Sequence, residues 1–141
     1  MANEESFAKA LYFGEVAEGL IFPWPEPDAS EADTVHALTD SLRRFCQKNV
    51  DSAKIDREEH IPSEVLRGLA DLGLFGLLIP RIYGGGGLSQ TAYARVVQEL
   101  AGIDTSLAVT LGAHLSLGAM GLLLFGTEAQ KAKYLPSLAT G

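Results

Sequence analysis

At 141 residues the chain has the length of one domain with a real but modest core. Its formal charge of -7 comes with no basic tract, which excludes an electrostatic footprint for nucleic acid and disfavours anionic lipid headgroups. A single cysteine, Cys46, excludes an internal disulfide and fits a reducing compartment.

The opening residues are acidic and show neither a secretory signal nor an Arg-rich transit pattern. The chain reads as cytoplasmic, or as a mature protein whose targeting peptide has been removed. Residues 6–13 can form a short helix. Phe22-Pro23-Trp24-Pro25 is forced into an extended path that Pro27 continues. Tyr12, Phe22 and Trp24 point to an arm lying on something apolar, either its own domain or a neighbouring domain or subunit. The expected division is an arm over 1–32 and a helical domain over 33–141.

Residues 33–50 carry Val35, Leu38, Leu42 and Phe45 on one helical face. Cys46 belongs with them as a small buried hydrophobe. Residues 51–60 are polar and read as a surface loop. Pro62 opens a second helix, Val65, Leu66, Leu69 and Leu72 form its face, and Gly73 caps its end. The apolar run 74–79 is too short for a helix and reads as a core plug. Gly84 to Gly87 read as a tight turn, because a phosphate cradle lacks its preceding strand and its Gly-Lys-Ser/Thr ending. Ser89 caps a helix with Tyr93, Val96, Val97, Leu100 and Ala101 on its face, closed by Gly102. Thr127 and Gln130 form a capping box for a last helix that ends near Pro136.

The stretch 105–126 holds no Asp, Glu, Lys or Arg over 22 residues. As a helix it would span about 33 Å, enough to cross a bilayer. Its glycines, His114 in its middle and the capping box that follows favour a buried central helix over a transmembrane span. The reading is therefore all-α: a helical bundle with an extended N-terminal arm.

Little here is chemically self-sufficient. His36, His60 and His114 share no metal-ligand spacing, so no metal site is expected. His114 reads as a core histidine satisfied by one hydrogen bond. No catalytic residue is assigned.

Several motifs together resemble the acyl-CoA dehydrogenase family. They are Leu72-Gly-Leu-Phe-Gly-Leu-Leu-Ile-Pro80 with Tyr83-Gly84-Gly85-x-Gly87, then Tyr93-Ala-Arg-Val-Val-Gln-Glu-Leu-Ala101. Gly112-Ala-His-x-Ser116 and Gly126-Thr-Glu-Ala-Gln-Lys-Ala-Lys-Tyr-Leu-Pro136 complete the set. Ser6-Phe-Ala-Lys9 and Phe22-Pro-Trp-Pro25 are similar to the very-long-chain branch and its relative in respiratory complex I assembly. Arg81-Ile82 departs from the acidic residues usual before the glycine turn.

The resemblance implies the N-terminal helical domain of an oxidoreductase whose later domains carry the flavin motif and the catalytic glutamate. The implied reaction of fatty acid β-oxidation is α,β-dehydrogenation of a long-chain acyl-CoA. A carboxylate takes the α-proton, and FAD receives the β-hydride. The implied partners are an electron-transfer flavoprotein and further copies of the enzyme, and the implied compartment is cytoplasm in bacteria or mitochondrion in eukaryotes. This chain alone is expected to hold no FAD and to be inactive. The acyl tail in the family lies along the helix equivalent to 105–126, where helical spacing puts Ala108, Leu111, Gly112 and Leu115 on one face. These four are the expected substrate-binding residues, with Ala108 and Gly112 setting pocket depth. The alternative is a non-catalytic helical interaction or assembly module.

Overall fold

The computed structural model describes residues 6–24 and 28–141, and among them every regular element is helical. Pro25 and Pro27, expected in the extended arm, lie outside the described residues. Ser6 caps α1 (Phe7–Tyr12) by accepting from the Lys9 N–H. The arm's aromatics do not lie on the domain: Tyr12 is 87% and Trp24 69% exposed, and Phe22 is open as well.

Helix α2 (Ala29–Asn49) begins four residues before the expected start at residue 33, because the Asp28 side chain accepts from the Ser30 N–H. Its buried stripe is Val35, Thr39, Leu42 and Cys46, with Leu38 and Phe45 half-buried beside it. Thr39 is tolerated there because its hydroxyl donates to the Val35 carbonyl at 2.9 Å. Burial pushes the Cys46 thiol up, and Asp104 adds to the effect, so Cys46 is chemically quiet.

The expected loop 51–60 is instead α3 (Ser52–Glu58). Asp51 caps it through the Lys54 N–H, Ile55 anchors it in the core, and Glu59 closes it with a left-handed φ of 49°. Helix α4 (Ser63–Asp71) starts after Pro62, buries Val65 and Leu69, and stops at Gly73, whose φ of 76° is left-handed. Residues 74–79 are all buried and form the plug.

Helix α5 (Gln90–Ile103) starts at Ser89 as expected. It runs through Gly102 to Ile103 and leaves Ala101 exposed, so Gly102 does not end it. Asp104 terminates α5, through its N–H to the Leu100 carbonyl, and caps α6 (Thr105–Gly112). The helix continues through a π-helical segment (Ala113–Ala119) into α7 (Met120–Phe125). The last helix, α8 (Glu128–Thr140), opens with the full capping box of Thr127 and Gln130. It passes through Pro136 instead of ending there, held by the buried Leu135 and Ala139 on either side.

Helices α2, α4, α5, α8 and the long helix enclose one apolar cluster around Leu42, Leu69, Ile79, Val96, Leu111 and Leu135. Across its surface Arg43 grips Glu99 with two bonds of 2.6 and 2.7 Å, joining α2 to α5. The Arg43 bonds hold the Glu99 carboxyl below the usual range.

Candidate functional site

The long helix Thr105–Phe125 has a mean hydropathy of 1.8 over its most apolar window, and only 28% of that window is buried. By length and composition it could cross a membrane. It is therefore not the fully surrounded central helix that its composition predicts. One face, Leu107, Ala108, Leu111, Leu115 and Ala119, is buried against α5 and the plug. The opposite face is open: Val109 is exposed, Leu117 is 80% and Phe125 86% exposed.

This division separates the four expected substrate-face residues by burial. Ala108, Leu111 and Leu115 are core residues of this chain, so they support the helix from behind. Gly112 alone of the four borders the open side, half-buried. Its neighbours there are Val109, Ala113 and Ser116, all exposed. Ala108, Leu111 and Leu115 share the buried face, and Gly112 lies at its edge. Which face meets the core depends on where α5 docks, and periodicity within an apolar helix carries no such information.

The π segment begins next to Gly112. Such segments are uncommon and recur at functional sites. Within it Ser116 Oγ lies 3.2 Å from the Tyr93 hydroxyl of α5. A Cβ added at Gly112 would meet that same hydroxyl oxygen at 3.8 Å. Sequence reasoning placed Tyr93 on a helix face and gave it no polar role. The available signal was a tyrosine among aliphatic residues, since a partly buried phenol usually finds a partner.

His114 is half-buried, and its Nε2 lies 2.8 Å from the Leu138 carbonyl, one of the last four of α8. Its ring meets Phe75 edge-on at 4.9 Å. The imidazole thus satisfies a helix-end carbonyl. Beside it a cleft of about 230 Å³ is lined by Leu66, Ala70, Phe75, Thr110 and His114. A wider groove of about 900 Å³ runs between α3 and the start of α6, past Ile55, His60 and Asp104. None of the four expected residues lines either one.

The glycine turn is structural. The Gly86 N–H donates to the Gly76 carbonyl at 2.9 Å, Gly87 to Ile79 at 2.9 Å and Leu88 to Leu77 at 2.8 Å. Gly84 and Gly87 take left-handed φ values of 85° and 61°. Arg81, the departure noted above, donates from Nε to the Gly86 carbonyl at 3.2 Å. Tyr83 reaches Glu128 at 3.2 Å and ties the turn to α8.

Residues 32–141 match the family described as acyl-CoA dehydrogenase, N-terminal domain. The chain belongs to the acyl-CoA dehydrogenase family. It is 42% identical to the mitochondrial very long-chain specific acyl-CoA dehydrogenase of Macaca fascicularis and 40% identical to that of Homo sapiens, over 99% of this chain in each case. It is 43% identical to the "Probable acyl-CoA dehydrogenase FadE10" of Mycobacterium tuberculosis, again over 99% of the chain. The chain spans about a fifth of these relatives, 22%, 22% and 21% of their lengths.

Two solved structures share the fold with a TM-score of 0.67. One is described as the electron transferring flavoprotein of Acidaminococcus fermentans, 33% identical, with 76% of this chain and 29% of that one covered. The other is the prolyl acyl carrier protein oxidase AnaB, 27% identical, with 81% and 30% covered.

An acyl-CoA dehydrogenase implies FAD, and the glycine turn of this chain does not fit a cradle for its diphosphate. The N–H groups of Gly84 to Leu88 that could cradle a diphosphate are committed to carbonyls of residues 76–81. Among the described residues, no group of three His, Cys, Asp or Glu is placed to hold a metal ion.

Proposed function

We propose that this chain is the N-terminal helical domain of a flavin-dependent acyl-CoA dehydrogenase acting on long-chain acyl-CoA in fatty acid β-oxidation. The observation that carries the reading is likeness to very long-chain specific relatives over 99% of the chain, arm included. In this reading FAD and the catalytic glutamate are held by other parts of the enzyme, and an electron-transfer flavoprotein takes the electrons. The enzyme works as a homo-oligomer, in the bacterial cytoplasm or the mitochondrion according to its source.

The domain's part is to wall the acyl channel. Ala108, Leu111 and Leu115 fix the helix against the core, while Gly112 and the exposed Ala113 and Ser116 present a shallow surface to the tail. Small side chains leave depth there, and the apolar surroundings favour a hydrocarbon over water.

The test is Gly112→Gln in the full-length enzyme. The glutamine side chain fills the depth beside the open face, so kcat/KM for the longest acyl-CoAs should fall relative to shorter ones. Each excluded methylene is worth about 0.8 kcal/mol, roughly fourfold in the ratio. An unchanged chain-length profile in a folded variant would sink the channel assignment.

The second reading, an interaction or assembly module, draws support from the arm. Tyr12, Phe13, Phe22 and Trp24 are all exposed on it, the kind of aromatic surface that partners cover. Loss of an assembly partner on substituting Trp24, with dehydrogenase activity absent, would favour it.

A further inference from the structure

Seven of the thirteen large hydrophobic side chains exposed among the described residues lie between Leu11 and Trp24. Helix α1 has no buried residue. Over residues 7–24 the charged side chains are Lys9, Glu15 and Glu18 alone. The arm nevertheless has a defined shape. Ser6 caps α1, and the Glu15 N–H donates to the Ala10 carbonyl at 2.9 Å. The Ile21 and Phe22 N–H groups both donate to the Glu18 carbonyl at 2.9 Å. These bonds close within the arm, so what it offers outward is apolar and aromatic side chains. That is the composition of an interface core, and a patch of this kind marks an interaction surface.

Two observations say what covers it. The first is which relatives share the arm. The family match begins at residue 32 and leaves the arm out, whereas the very long-chain specific relatives match 99% of the chain. Those relatives are also longer. Their 99% match fills 22% of the Macaca fascicularis chain. A match over only 76% of this chain already fills 29% of the flavoprotein, and one over 81% fills 30% of AnaB. The relatives that match through the arm therefore exceed the two solved chains in length by more than half, so the arm accompanies extra polypeptide.

The second observation is where the chain leaves the domain. Ala139, near the end of α8, lines a cleft of about 420 Å³ together with Thr34 and Leu38 of α2. The arm enters α2 at Asp28, within about two helical turns of Thr34. Polypeptide that follows Gly141 thus starts beside the root of the arm.

We infer that in the full-length enzyme the arm docks, through Tyr12, Phe13, Phe22 and Trp24, on the extra part of its own subunit, the part that follows Gly141 and that the shorter relatives lack. The inference rests on the proposed reading of this chain as the first domain of a longer enzyme. The arm then works as a strap that fastens the added part to the helical domain. Ordering it costs little, because its backbone is already paired.

The experiment uses the full-length enzyme. Tyr12 and Trp24 are each replaced by the photoreactive benzoylphenylalanine, and the links formed on irradiation are mapped by mass spectrometry. Mixing isotopically light and heavy subunits separates links within a subunit from links between copies. Both positions should link to one stretch of the same subunit, beyond Gly141 and outside the portion that the shorter relatives share. Links to a second copy, to lipid, to residues 28–141 or to the shared portion overturn the inference, as does the absence of any link. A link to a separate protein overturns it in favour of the assembly module. A full-length enzyme no longer than the shorter relatives overturns it before any link is made. Where a photoreactive variant fails to fold, hydrogen exchange decides. Trp24→Ala should speed exchange in the covered stretch roughly thirtyfold, the loss expected on truncating a buried interface tryptophan, and unchanged exchange throughout the part beyond Gly141 overturns the inference. Dehydrogenation of acyl-CoA by the unaltered enzyme is measured separately. Its absence removes the functional reading, whereas wrong links in an active enzyme remove only the docking.

Discussion

Gly85→Ala is expected to destabilise the chain by about 3–5 kcal/mol, an unusually large effect for one methyl group. A Cβ at Gly85 would overlap the Ile79 carbonyl oxygen and stand 2.6 Å from the Gly76 oxygen. Both oxygens belong to the buried plug and already accept from Gly87 and Gly86 at 2.9 Å. Relief of the clash requires breaking those bonds inside the core, where unpaired polar groups are costly. Gly84→Ala is the control. Its φ of 85° is left-handed, but nothing lies within 4 Å of its added Cβ. It should lose only the conformational cost of about 1–2 kcal/mol. Denaturant midpoints at constant slope measure both variants, and equal losses would refute the close-approach argument.

Asp104→Ala should cost about 2–3 kcal/mol and lower the melting temperature by roughly 10 °C. Asp104 is 8% exposed and accepts from the Ser106 N–H at 2.9 Å, the Leu107 N–H at 3.1 Å and the Ser106 hydroxyl. Alanine leaves the start of α6 without a cap and strands those donors. Burial opposes ionisation of Asp104, yet the Ser106 and Ser52 hydroxyls and the two backbone N–H groups outweigh it. They hold the carboxyl below its ordinary value of 3.8. The ionised group's contribution is therefore complete above 3.8 and is lost as pH falls through the lower folded value. Asp104→Asn keeps an acceptor and removes the titration. Its stability deficit should be constant at neutral pH and close as pH drops below 3.8. A deficit that persists or widens on acidification would contradict this account.

Most of the fold was legible because its signals are local. Ser89, the Thr127 and Gln130 box, Gly73 and the plug each announce themselves within a few residues. The misses have local causes too. Asp28 starts α2 ahead of its apolar stripe, and Asp51 with Ile55 builds α3 from a segment that is otherwise polar apart from Ala53. Pro136 remains helical because the packing of Leu135 and Ala139 outweighs the missing N–H. The candidate site was half legible. The small residues on the long helix were visible in the sequence, and Gly112 borders its open side. The orientation of that helix, the π segment and the Tyr93–Ser116 bond depend on docking between helices, which no window of sequence contains.

The turn that caps α5 is also joined to the start of α2. Glu31, in the first turn of α2, accepts from the Ser89 N–H at 2.8 Å and from its hydroxyl at 2.6 Å. The same Ser89 oxygen accepts from the Ala92 N–H at 3.2 Å. One hydroxyl thus links a carboxylate on one helix to the first free N–H groups of another, and each bond polarises the next. Helix ends normally fray one by one. Here the opening of α2 at Glu31 withdraws the partner that orients the α5 cap, so the beginnings of two helices 58 residues apart unravel as a single event.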